Sequence, residues 1–307
     1  MAVHLPPDSL DPFPRFSRYN SPYPAHDAGR AIDLYPDGEV GLSPVAGIVR
    51  ETRTVGCPDR SYAASTDHLI VIDLDETWCR RAGVDVETCA RVLHVIPEVK
   101  PGDRVAVGDT LGPMTRSGFF GQWVDTHVHL GFRPPGSNPH RASGSLPVSV
   151  ASPVTAVSWD GTGTVVETGP THAVLDAPAH PNPEKTFAAI ASDEGVPLDG
   201  GLAHYAAGGT FAGGTPGESL SLWGTRVGTV VGSGESERVG ARSGGSVEWG
   251  HIDVLANGER IVGLSLFAAR NAQCGVKLVC PAREFGVGDS VSLQIRPSDD
   301  PIRLDHR

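Results

Sequence analysis

The stretch VDTHVHLGF (residues 124–132) places two histidines two residues apart among apolar neighbours. A run of this composition reads as a strand, and alternate residues of a strand share a face. His127 and His129 are therefore expected to project together, with Val128 and Leu130 on the other side. Paired imidazoles can share a metal ion, or one can hold the metal while the other handles a proton. They can equally be two solvated side chains on a polar strand face, and the stretch alone does not choose.

Three further residues have the chemistry to join them: His26 and Asp33 in HDAGRAIDLY, and His94 in RVLHVIPEV. Taken singly, each has an ordinary reading. His26 is a loop residue, Asp33 an edge-strand carboxylate, and His94 a core histidine with its hydrogen bonds met. His180 and His204 sit in loop-like contexts suited to a cleft lining. No G-x-S-x-G elbow occurs, and the glycines between Gly200 and Gly217 lack the Gly-Lys-Ser/Thr of a phosphate loop.

The elements that must position these residues are mainly strands. With 38 glycines and 26 prolines in 307 residues, the chain favours turns and short strands over long helices. AIDLY, PVAGIVRET, DHLIVIDL and RVLHVIPEV read as strands, and VKPGDRVAVGDTLG as short strands between glycine turns. DETWCRRAGVDVETC reads as a polar excursion. Residues 1–23 read as an irregular arm, 24–135 as a first domain, 136–152 as a linker and 153–307 as a second, β-sandwich-like domain. Within the last, NPEKTFAAIASDEG is expected to form one helix capped by Asn182 and stopped by Gly195. The glycine-rich residues 200–217 are expected to be a flexible loop.

In order, HDAGRAIDLY, PVAGIV, RVLHVIPEVKPGDRVAVGDTLG and THVHLGF resemble the lysostaphin/LytM-type zinc endopeptidases, over about residues 24–133. The resemblance implies a two-sheet β domain of the duplicated-hybrid-motif type with a zinc site. His26, Asp33 and His129 would be the zinc ligands, and His94 and His127 would flank the attacking water and the scissile carbonyl. Two neutral imidazoles and a carboxylate leave zinc a net positive charge and an open position, which suits polarising an amide and activating water. Asp125 and Gln122 are the nearest candidates to orient the ligand imidazoles. One departure stands out. The family's first motif is usually His-x-x-x-Asp, but Gly29 occupies the position four before Asp33, and His26 lies seven before it. A three-residue bulge would bring His26 back to the metal.

Composition narrows the partners. A net charge of −11 disfavours nucleic acid and anionic membranes. Only Lys100, Lys185 and Lys277 are lysines; this acidic, lysine-poor composition is similar to that of proteins from salt-loving archaea, although a GC-rich genome would also favour arginine. Five cysteines without a CxxC are expected to be reduced structural thiols. With no apolar leader and no 18-residue apolar run, a cytoplasmic protein is expected. The leading function is a zinc-dependent hydrolase acting on a peptide or related amide. The competing one is a non-catalytic binding or scaffold module on the same fold, and a histidine phosphocarrier ranks well below both. The C-terminal domain could cover the groove, bind substrate or make a homo-oligomer.

Overall fold

The computed structural model describes residues 2–232, 244–272 and 274–304. It divides the chain into two compact units: residues 1–16 with 29–152, and residues 17–28 with 153–307. Both are mainly β.

In the first unit, the strands used below are β1 (Val3–Leu5), β2 (Ala31–Tyr35), β3 (Gly47–Gly56), β4 (Thr66–Leu74), β5 (Cys89–Leu93), β6 (Arg104–Val105), β7 (Val128–Arg133) and β8 (Val148–Val150). Six of them run side by side in the order β2-β7-β5-β4-β3-β6. The register puts β7 in antiparallel pairing with β2 on one side, His129 opposite Asp33, and with β5 on the other, His129 opposite Leu93. On β4, Leu69, Ile70, Val71 and Ile72 are all buried. That suits a strand flanked on both sides and covered on both faces.

The excursion after β4 contains a helix, α2 (Glu76–Ala82), which follows the single helical turn α1 (Pro24–Asp27) in the chain. Trp78, Cys79 and Ala82 form the buried side of α2, and Trp78 stacks on Phe132 with ring centroids 5.5 Å apart. Gly83 ends it in the left-handed conformation, at φ 71°, which a glycine adopts without steric cost.

The regions expected to be arm and linker carry structure. β1 pairs in parallel with β8, Val3 opposite Val148, and Leu5, Leu10 and Phe13 are buried. The Pro/Gly/Ser stretch after Phe132 is anchored by the buried Arg133, whose guanidinium bonds the Ser145 hydroxyl and the Arg141 carbonyl.

In the second unit, β9 (Val154–Val157), β10 (Phe187–Ile190), β11 (Leu198–Leu202), β12 (Ala207–Thr210) and β13 (Ser246–Trp249) are used here. β11, β12 and β13 belong to a twelve-stranded sheet, and Leu198, Leu202, Val247 and Trp249 are part of the core beside it. Two expectations are corrected. The helix over NPEKTFAAIASDEG is absent; its apolar part is the strand β10, fully buried and parallel to β9. A short apolar run carries the same pattern in a buried strand as in a buried helix, and pairing decides between them. The supposed flexible loop contains β11 and β12, paired with Gly200 opposite Gly208. The glycines there answer to packing: a Cβ on Gly208 would lie 2.3 Å from the Trp249 ring.

Candidate metal centre

β7 builds the centre. Because paired residues on adjacent antiparallel strands point to the same face, the Asp33 carboxylate and the His129 imidazole meet. Asp33 Oδ1 lies 2.9 Å from His129 Nδ1. His127, just before β7, reaches the same oxygen, its Nε2 3.4 Å away. His94 follows β5, the strand on the other side of β7, and its ring centroid lies 5.1 Å from that of His127 and 5.6 Å from that of His129. Phe120 packs against both outer imidazoles, with centroids 4.6 Å from His94 and 4.5 Å from His127.

His26 lies on α1, seven residues before Asp33. A helical turn advances only about 1.5 Å per residue where a strand advances about 3.3 Å, so the turn shortens the longer spacing. Gly29, at φ 60°, allows the chain to turn out of it. His26, Asp33 and His129 each offer a ligand atom, and these atoms all lie within 4.8 Å of one another.

The hydrogen bonds fix which nitrogen of each imidazole is available. His26 Nδ1 donates to the Arg18 carbonyl at 2.7 Å, which leaves Nε2 with its lone pair. His127 Nδ1 donates to the Asp125 carbonyl at 2.9 Å, again leaving Nε2. Burial holds the His129 imidazole below its usual pKa, aided by repulsion from His94 and His127 and opposed by the bond and charge of Asp33. A neutral imidazole is the form that binds metal.

Asp67 joins the centre without any prior expectation. Its carboxylate, fully buried, accepts from His94 Nδ1 at 2.6 Å and from the His94 amide at 3.1 Å. The His68 amide and the Ser117 hydroxyl complete its shell at 2.7 and 3.0 Å. Burial alone would raise this carboxyl, but the bond and charge of His94, with the His68 and Ser117 bonds, outweigh it and hold the group below the ordinary aspartate range. The only trace in the sequence is the aspartate opening DHLIVIDL, 27 residues before His94.

The other candidates lie elsewhere. The Asp125 carboxylate pairs with Arg15 at 2.9 Å, and its backbone carbonyl serves a site histidine. Gln122 is exposed. His180 has both ring nitrogens engaged, by the Ala269 carbonyl and the Asn182 amide at 3.0 Å each, as a structural histidine would. His204 is buried, which pushes its pKa down to about 3. All five cysteines are free thiols, and burial raises Cys274 to about 12 and Cys280 to about 11. Among the described residues no helix is long and apolar enough to cross a membrane.

A buried cluster of two histidines and an aspartate, able to coordinate a metal ion, thus sits on a β-rich scaffold. Residues 4–150 match the family model described as Domain of unknown function (DUF8155) N-terminal domain, and residues 155–296 match that of the DUF8155 C-terminal domain. Each half of the chain therefore matches one domain of that family. No curated protein matches the sequence. A solved structure titled "A Novel M23 Metalloprotease Pseudoalterin from Deep-sea" is similar at 15% identity, over 45% of this chain and 73% of that one, with a TM-score of 0.26.

Proposed function

We propose that the protein is a zinc-dependent hydrolase of peptide or related amide bonds, of the lysostaphin/LytM type. The observation that carries this reading is the convergence of His26, Asp33 and His129. The donor set fits zinc. It offers two imidazoles and one carboxylate, the set that leaves a catalytic site open at the fourth position, and the Arg18 carbonyl holds the His26 proton away from Nε2. Zinc held there would supply the Lewis acidity that polarises an amide carbonyl and makes water acidic enough to react near neutral pH.

The remaining work falls to the chain. His127, with its Nδ1 proton held by the Asp125 carbonyl, presents Nε2 as the base that takes the proton of the attacking water. His94, held through Nδ1 by Asp67, stands on the other side with Nε2 toward the substrate; once Nε2 has taken up a proton, the imidazolium would steady the developing oxyanion or pass that proton to the leaving amine. Phe120, against both rings, restrains their orientation and keeps water from their faces.

The test is elemental analysis of the protein purified without added metal, beside His26→Ala and His129→Ala, followed by hydrolysis assays on a peptide panel. About one zinc per chain, lost in both variants, with metal-dependent cleavage, is expected. No zinc after incubation with it would refute the reading and leave a binding or scaffold protein.

A further inference from the structure

Among the described residues of the first unit, Asp67 is the one buried carboxylate that bonds a site imidazole from outside the metal cluster. Its two oxygens divide their work. Oδ1 accepts the amides of His68 and His94, at 2.7 and 3.1 Å. Oδ2 accepts the Ser117 hydroxyl at 3.0 Å and His94 Nδ1 at 2.6 Å. A carboxylate needed only to tie the loop together would be satisfied by amides and a hydroxyl. This one also grips the ring.

The backbone of His94 points the same way. Its φ is 71°, a left-handed conformation that is strained for a residue with a Cβ. The amide of that strained residue is bonded to the same Asp67 carboxylate that bonds its ring. One side chain thus fixes both the unusual backbone and the imidazole it carries. The neighbouring His127 shows the contrast: its Nδ1 is held by a backbone carbonyl, and φ at His127 is not positive.

We propose that Asp67 is a positioning residue for His94, holding the imidazole in the tautomer with the proton on Nδ1 so that Nε2 is the nitrogen presented to substrate. This rests on the hydrolase reading for its purpose, but not for its test. A carboxylate accepts and cannot donate, so it selects the Nδ1–H form. An asparagine in its place can turn its amide toward Nδ1 and select the opposite form. Exchange of carboxylate for amide behind a catalytic imidazole costs about 10⁴-fold in kcat where the wrong tautomer results.

The experiment is two-bond ¹⁵N–¹H spectroscopy of the zinc-loaded full chain labelled with ¹⁵N-histidine, with His94→Gln to assign the signal. The parent is expected to show His94 as the Nδ1–H tautomer. Asp67→Asn should shift it to Nε2–H or a mixture with zinc content unchanged, and Ser117→Ala, which removes a partner from Asp67 but not from His94, should keep Nδ1–H. Where peptide cleavage is measurable, Asp67→Asn should lose 10²- to 10⁴-fold in kcat (about the range for a misplaced acid–base group) with KM little changed. An Nε2–H tautomer in the parent overturns the proposal without any variant. So does Asp67→Asn that stays folded and keeps Nδ1–H, even if slower. If no peptide is cut, the hydrolase reading fails while the spectra still decide the role of Asp67.

Discussion

Asp33 and His129 face each other across the β2–β7 pair, carboxylate Oδ1 2.9 Å from imidazole Nδ1, and His127 Nε2 approaches the same oxygen at 3.4 Å. Strand register holds Asp33 and His129 together, and His127 stands one residue before β7. A one-residue slip of β7 against β2 would turn His129 to the opposite face.

Asp33→Ala and His129→Ala should therefore each abolish zinc retention, from about one ion per chain to near none, because a two-donor site holds the ion poorly. Elemental analysis after dialysis against a weak chelator reads the outcome. Retention of zinc by either variant would refute that ligand.

His127→Ala should separate binding from chemistry. Its Nε2 is available as a proton acceptor, but it lies outside the three-residue cluster. Zinc content should stay at the parent level while cleavage falls about 10²- to 10⁴-fold. A variant that loses zinc instead would make His127 a ligand.

Asp199 gives a pH signature in the second unit. Burial pushes its carboxyl up to about 7, against the pull of the Ser17 hydroxyl and the Arg18 amide, which it accepts at 2.6 and 2.7 Å. The folded protein thus holds a proton that the unfolded chain releases near pH 4. Its contribution is fully present below about pH 4 and is lost as pH rises toward 7, by up to about 1.4 kcal/mol per pH unit. Urea unfolding at pH 5 and pH 8 should show the cost of Asp199→Asn shrinking as pH rises. An equal cost at both would contradict the raised carboxyl.

Gly208→Ala should destabilise by about 1–3 kcal/mol, the usual cost of overpacking, since its Cβ would lie 2.3 Å from the Trp249 ring. The urea midpoint reads it. A variant as stable as the parent would mean that β12 is free to shift away from the indole.

Strand periodicity is what made the centre legible. VDTHVHLGF reads as a strand with both imidazoles on one side; the structure starts that strand at Val128 and leaves His127 just before it, yet both imidazoles approach one carboxylate oxygen. AIDLY and RVLHVIPEV likewise supply the flanking strands. His26 was harder to place, because a helical turn that shortens a seven-residue spacing leaves no periodic mark. Asp67 had no local signal at all. Its partner is 27 residues away and reaches it only through the pairing of β4 with β5. FAAI and the glycines of β11 and β12 were misread for a related reason: their neighbours are distant strands, and propensity gives way to pairing and to the aromatic rings packed on them.

The parallel pairing of β1 with β8 joins residues 145 positions apart, Val3 with Val148. A ribosome delivers β1 some 145 residues before its partner β8, the separation of Val3 from Val148. Until then β1 lacks the strand that pairs with it, while the strands from β2 to β7 can already assemble. Strand β1 is thus made long before its partner and is among the last of the unit to be seated. A stalled chain cut short of Val148 should offer it to a protease that the finished protein resists.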